Sequence, residues 1–436
     1  MTENYETSVP VSKVWHSPSY GNVIALKDGR LMWAWGSGSG DPVKPIHANL
    51  SSDGGRTWSD PKPLKLTTGE DMMGVMDGNL LRLRSGGLGF VHRARSWRNG
   101  EDPHYCGQMH YHKSLDEGET WSPPVAVNPD NRREFLTNET CTVLTDGRII
   151  VPTYDFFGPV PTSADTKRTR RYGETFISAS MHPMSTSYVY YSDDEGESWH
   201  RSRNEVYVQI DNGTQGNYVM GEAAIEELND GRLLMIARTT MGRFFQSISE
   251  DRGELWQQAT PTDLACPPSP CTLKRIPATG DLLIIWNQIS RWESMQGLFR
   301  HRMSCAVSKD EGATWQHHRN LESLDDTTHV EPVDMDTLLL GEVRQPLDRE
   351  RYHRAPGVLR FSYPTCTFLN DTAVITYGAS VLGDPAVITA TYGMDIADVA
   401  KKVGFEPNPK NPDKPLGHNK VRVVGTDWFY GDSARR

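Results

Sequence analysis

One eight-residue phrase occurs five times in this 436-residue chain and restricts its fold more than any other feature. The copies are Ser51-x-Asp53-x-Gly55-x-Thr57-Trp58, Ser114-x-Asp116-x-Gly118-x-Thr120-Trp121, Ser192-x-Asp194-x-Gly196-x-Ser198-Trp199, Ser249-x-Asp251-x-Gly253-x-Leu255-Trp256 and Ser308-x-Asp310-x-Gly312-x-Thr314-Trp315. Recurrence of this kind marks a repeat architecture, in which each unit buries its apolar face against the next. The phrase has the chemistry of a turn. Its Asp accepts hydrogen bonds from nearby backbone N–H groups, its Gly takes the left-handed conformation, and its Trp packs the turn onto its neighbours. Successive Asp positions lie 57 to 78 residues apart, room for one four-stranded blade of roughly 40–50 residues with its loops.

A second repeat interleaves with the first: an apolar run, a Gly- or Asp-containing turn, and another apolar run. It appears as Ala25–Leu31, Leu81–Leu88, Val143–Ile149 and Glu227–Leu233, and more weakly as Ile276–Leu282 and Phe368–Val374. Asp-Gly between apolar runs is a strong hairpin signal. Six hairpins and five turn phrases predict an all-β fold, a six-bladed β-propeller around a central channel. The expected organisation is one domain over residues 1–436, with core repeats at 14–390 and a C-terminal extension at 391–436 holding a helix near Met394–Val403.

The net charge is −10 and the short basic run Lys167-Arg168-Thr169-Arg170-Arg171 reads most simply as a solvated surface loop, so nucleic acid is not an expected partner. No run of about 18 apolar residues exists, so no membrane span is expected. The polar, acidic segment Met1–Ser12 is not a signal peptide, which reads as cytoplasmic for the chain as it stands and as secreted if a leader has been removed. Six cysteines in a chain of this length are no disulfide framework, and Cys266-Pro-Pro-Ser-Pro-Cys271 lacks zinc-knuckle spacing. Free thiols, no cofactor and no metal in the catalytic site are the expectation; homo-oligomerisation is left open.

The turn phrases are Asp boxes, and through them the chain resembles the sialidase superfamily of β-propellers over roughly residues 14–390. The boxes themselves are structural, on outer hairpins away from the channel mouth, where inner strands and loops converge. In that family a Glu precedes one inner hairpin and an Arg follows it on the next strand; Glu222 and Arg238 match both positions. The resemblance places a substrate-binding Arg at Arg300, eight residues before the fifth box serine, with Arg302 as its competitor on the same strand parity. It places the tyrosine nucleophile at Tyr363, in Phe361-Ser362-Tyr363-Pro364, and the acid/base Asp in the loop before the first box, at Asp41; Asp71 and Asp77 are reserves. A phenol is a poor nucleophile until a carboxylate takes its proton, so Tyr363 with Glu222 would form the reacting pair. An Arg fork suits a sugar carboxylate because it donates two parallel hydrogen bonds.

One departure bears on the substrate. Sialidases open with Arg-Ile-Pro, whose Arg completes a three-arginine clamp, and here His16 stands at that position in Trp15-His16-Ser17-Pro18-Ser19. Arg93, Arg95 and Arg344 are the available replacements. The segment His104–His112 adds a second cluster, in which His110 and His112 face one side of a strand. They suit a metal, a general base, or ordinary polar positions. The leading expectation is a retaining exo-glycosidase that removes a terminal acidic sugar from a carbohydrate substrate. The alternatives are a propeller-type uronate lyase using His16 and His110, and a non-catalytic glycan-binding propeller. Two long insertions, 316–361 and 157–184, are expected to be loops.

Overall fold

The computed structural model describes residues 11–14, 21–36, 44–94, 107–129, 134–157, 184–210, 216–218, 220–239, 241–290, 300–323, 358–382 and 417–435. They form six antiparallel sheets arranged as the blades of a β-propeller, with almost no helix. Blade one runs outward through Val23–Ala25, Leu31–Trp35, His47–Ser51 and Lys62–Pro63. Blade two follows with Met76–Arg82, Leu88–Arg93, Met109–Ser114 and Val125–Ala126. In blade three, Ile149–Phe157, Met184–Ser192 and His200–Arg201 lie outside two short inner pieces, Glu134–Phe135 and Thr142–Val143. Blades four and five are Met220–Glu227, Leu233–Thr239, Arg243–Ser249, Thr260–Ala265 and Cys271–Arg275, Leu282–Trp286, Met303–Ser308, Gln316–Glu322.

Blade six closes the ring with both ends of the chain. Val358–Leu369 and Thr372–Leu382 pair with Gly417–Gly425, and Val11–Val14 adds the outermost strand. The strand Gly417–Gly425, expected in an extension beyond the repeats, is therefore part of the propeller. The expected helix at Met394–Val403 lies outside the described residues. Gln316–Glu322, expected as the start of a loop, is the fourth strand of blade five; two register shifts against Met303–Ser308 disrupt its alternation. The apolar core sits between blades: Leu31, Trp33, Val374 and Val421 join blades one and six, and Leu283, Ile285, Cys366 and Ile375 join blades five and six. The five described cysteines are free and buried.

Each Asp box ends the third strand of a blade. In all five the serine Oγ donates to Asp Oδ1 and accepts the Gly N–H at 2.8–2.9 Å. The same Oδ1 accepts the N–H four residues on at 2.7–3.0 Å. In the first four copies Trp Nε1 donates to the Gly carbonyl at 3.0–3.1 Å. The residue before the Gly is left-handed too, with φ of 56–70°, although it is Glu, Glu, Arg and Glu in the last four copies.

That conformation, which costs a non-Gly residue on the order of 1–2 kcal/mol, turns the side chain onto the preceding blade. Glu117 accepts Lys27 N–H at 2.8 Å, Glu195 accepts Ser85 N–H at 2.8 Å, and Glu311 accepts Asn229 N–H at 2.8 Å. Arg252 pairs with Asp146 in the same place. The last four boxes thus cap the inner hairpin of the blade before them, which makes the repeat an interlock between units.

The inner strands are also stitched around the axis. Asn22 of blade one bonds both backbone groups of Leu80, and Asn79 of blade two accepts Thr140 N–H at 2.9 Å. Glu139 of blade three reaches across to Cys366 N–H at 2.5 Å and Thr272 Oγ1 at 3.4 Å. Burial pushes the Glu139 carboxyl up to about 7, against the pull of Lys274 and of its two donors. Because the folded pKa is raised, the contribution of Glu139 to stability is fully present below 4.5 and is lost as pH rises through about 7. Glu139→Gln keeps the acceptor and removes the charge, so it should stabilise the protein by up to about 3 kcal/mol at pH 8 and by nothing near pH 4.5. Denaturant unfolding of both proteins at the two pH values checks this, and equal stability at pH 8 would count against it.

Candidate active site

Three inner strands carry a β-bulge, and each bulge holds a chemically active side chain in the left-handed region. Asp77 (φ 63°) lies between the shifted pairs at Met76 and Asn79, Glu222 (φ 49°) between Gly221 and Ala224, and Tyr363 (φ 55°) between Ser362 and Thr365. A bulge inserts one residue and re-aims a side chain off the sheet face. Non-Gly residues held there are strained by roughly 1–3 kcal/mol and cluster at functional sites. Here the same device is used in blades two, four and six.

Glu222 and Tyr363, 141 residues apart, meet: Tyr363 Oη donates to Glu222 Oε1 at 3.0 Å. The other carboxylate oxygen of Glu222 accepts from Arg238 Nη1. Arg238 stands on the second strand of blade four, beside the bulge, and its partly buried guanidinium is held firmly protonated by Glu222 against the cost of desolvation. Asp77 and Arg93 repeat this arrangement in blade two at 2.8 Å. Burial pushes the Asp77 carboxyl up to about 6, with the charge of Glu222 adding to the rise and Arg93 opposing it. Arg93 also lies 5.3 Å over the Phe135 ring, which stacks on Tyr154 at 5.5 Å. Burial holds the Tyr154 phenol well above its usual range, and the charges of Glu222 and Tyr363 act on it in the same direction.

Arg300 covers the other side of the tyrosine, its guanidinium 5.4 Å from the Tyr363 ring centre. Its Nη2 donates to the Pro268 carbonyl at 2.9 Å, while Nη1 is buried without a hydrogen-bond partner among the described residues. Burial, together with the like charge of Arg360, lowers its pKa to about 10. Arg238, Arg300 and Arg360 thus share one field, which favours an anion.

Of the residues expected at the site, Tyr363, Glu222, Arg238, Arg300 and Arg93 are described and joined by the contacts above. Arg302 is fully buried, with its carbonyl bonded to Asn287. Asp71 pairs with Lys65 at 2.5 Å. His16 and Asp41 lie outside the described residues, as do Arg95, Arg344 and His104. Two members of the site were not anticipated. Tyr154 carries no local signal. Arg360 has one, a lone cation in the inner strand of blade six just before Tyr363. Asp77 with Arg93 had a better one: their separation equals the 16 residues between Glu222 and Arg238.

Comparison with known proteins adds lineage. The family described as "BNR repeat-like domain" matches residues 29–375. A sialidase of Bacteroides fragilis (strain YCH46) is 25% identical over 306 residues, covering 63% of this chain and 49% of its own length. The chain therefore spans about half the length of that curated relative. Among solved structures, a Dyadobacter fermentans protein of unknown function superposes with a TM-score of 0.58 at 14% identity, covering 95% of this chain and 99% of its own. The Hadza microbial sialidase Hz136 gives 0.54 at 18% identity, covering 83% and 64%. At such identities the superpositions show the fold alone.

Proposed function

The chain belongs to the BNR repeat-like domain family, as a propeller of the sialidase superfamily, and from that premise we propose that it is a retaining exo-glycosidase acting on a terminal acidic sugar. The observation that carries the reading is the 3.0 Å contact between Tyr363 Oη and Glu222 Oε1, with both residues on left-handed bulges of different blades. A core tyrosine needs only a hydrogen-bond acceptor. A phenol aimed at a carboxylate beside three arginines is suited to nucleophilic attack.

In the first step Tyr363 Oη bonds to the anomeric carbon and passes its proton to Glu222, while the glycosidic C–O bond breaks and an acid protonates the leaving oxygen. In the second, water attacks the same carbon and gives its proton to the acid's conjugate base; the phenolate departs and recovers its proton from Glu222. A neutral nucleophile avoids repulsion from an anionic sugar. Arg238 and Arg300 hold the carboxylate, with Arg360 in place of the arginine that His16 replaces.

Asp41 is the proton donor in this reading, and Asp77 anchors Arg93. Asp41→Asn should lose roughly 100-fold or more in kcat/KM on an alkyl glycoside, yet keep kcat/KM near wild type on a nitrophenyl glycoside, whose leaving group needs no proton, while kcat on both falls because the second step loses its base. Asp77→Asn should raise KM on both. The reverse pattern would move the acid role to Asp77, whose carboxyl near 6 suits it.

The reading itself is tested on a panel of aryl glycosides, sialosides and uronate oligosaccharides, with products followed by mass and ultraviolet absorbance. A water-added sugar supports it. A dehydrated, absorbing product would mean a lyase, and bound but unchanged glycan a binding module.

A further inference from the structure

Blade two carries three histidines that the channel chemistry does not use. His110 pairs directly with His92 across the second and third strands, and His112 with Phe90, so the three imidazoles share one sheet face. His92 and His112 are almost wholly buried, and His110 is half-buried at the edge of the group. The His92 and His112 rings lie parallel, 10° apart in plane, with their Nε2 atoms 3.2 Å from each other. One ring nitrogen from each of the three comes within 4.8 Å of the others.

The protonation pattern is readable. His112 Nδ1 lies 2.7 Å from the Ser122 carbonyl, which only accepts, so Nδ1 carries the proton and Nε2 presents its lone pair to the cluster. A backbone carbonyl on the far nitrogen is the usual support of a metal-ligating histidine. The 3.2 Å separation is close to the edge of a tetrahedron drawn around an ion with bonds of about 2.0–2.1 Å to nitrogen, roughly 3.3 Å. His92 is packed in place. Its ring stacks on Phe90 at 5.4 Å, and a Cβ at Gly74 would lie 2.5 Å from His92 Nδ1, so only glycine leaves room for the ring. Among the described residues His92 Nδ1 is buried without a hydrogen-bond partner, while Nε2 faces His112 Nε2. A bound ion would take up the facing Nε2 lone pairs in coordinate bonds.

We propose that His92, His110 and His112 form a three-imidazole site for a divalent transition metal of the zinc class, clipping the second and third strands of blade two together. The donor set selects the ion: imidazoles without a carboxylate suit zinc and its neighbours and do not suit calcium or magnesium. Three protein ligands leave the fourth position to water on the side of His110. The site does not depend on the glycosidase reading.

The test uses the full-length protein, stripped with chelator and titrated with Zn²⁺ alone. Stoichiometry is read by elemental analysis, affinity by calorimetry, and geometry from the visible spectrum after Co²⁺ substitution. The expected result is one ion per chain, a tetrahedral Co²⁺ spectrum and a melting temperature that rises with Zn²⁺. His110→Ala should weaken binding by at least the roughly 10–100-fold that loss of an outer-layer partner typically causes, and His112→Gln should abolish the Co²⁺ spectrum. If His112→Gln fails to fold, the half-buried His110→Ala still decides. Absence of stoichiometric binding by the folded wild type, or binding unchanged in His110→Ala, would overturn the proposal.

Discussion

Tyr363→Phe should abolish turnover while leaving substrate binding nearly intact. The substitution removes one oxygen, the atom that donates to Glu222 at 3.0 Å, and keeps the ring on which Arg300 rests. The strained backbone at Tyr363 is held by the flanking pairs of its bulge and survives the change. On the proposed mechanism the missing oxygen is the nucleophile, so kcat should fall by at least roughly 1000-fold, equivalent to about 4 kcal/mol of barrier. The dissociation constant for an unhydrolysed glycan should move by less than about 3-fold, since the arginines that hold the anion are untouched; this estimate follows from separating uniform binding from transition-state binding. Glu222→Gln should fall comparably in kcat. Equal losses in binding and turnover for Tyr363→Phe would identify a binding site rather than a reacting one.

Gly196→Ala should be the most damaging alanine substitution among the five box glycines. The box glycine has φ +94°, and a Cβ there would lie 2.1 Å from Tyr111 Cε1 of the preceding blade. Tyr111 cannot withdraw, because it is buried and set edge-on to Trp199 with ring centres 5.5 Å apart. A left-handed alanine costs about 1–2 kcal/mol and overpacking of a filled interface about 1–3 kcal/mol more. The expected destabilisation is therefore about 2–5 kcal/mol by denaturant unfolding. Gly280→Ala supplies the control: its φ is +78°, but nothing lies within 4 Å of the added carbon. It should cost only the backbone part. If the two variants are equally stable, close approach between blades is not what fixes glycine in the box.

The box shows why the fold was readable. The Ser, Asp and Gly hydrogen bonds that recur in every copy close within eight residues, so the phrase states its own turn geometry. The interlock was not readable, since it depends on Glu117, Glu195 and Glu311 meeting backbone about 80 to 110 residues away. Ring closure was missed for the same reason. Val11–Val14 pairs with Gly417–Gly425, and blade six has no box to announce it. The polar run Gln316-His317-His318-Arg319 reads as a loop because a half-exposed edge strand with register shifts loses its alternation.

At the site, the residues alone did not bring Glu222 to Tyr363; the family resemblance did. Asp77 and Arg93 were within reach of reasoning from residues, as a second carboxylate and arginine spaced as Glu222 and Arg238 are. Tyr154 depends on packing between blades three and four, where Gly221 lets the backbone approach the ring, and no sequence pattern encodes that.

The most direct measurement is covalent trapping. The protein is incubated with a slow fluorinated glycosyl fluoride of whichever sugar the panel identifies, quenched, digested and mapped by mass. One sugar residue linked to the peptide containing Tyr363, and absent from Tyr363→Phe, is the result predicted here. Turnover with inverted stereochemistry and no adduct, or an adduct on a different side chain, would contradict the assignment of Tyr363 as the nucleophile.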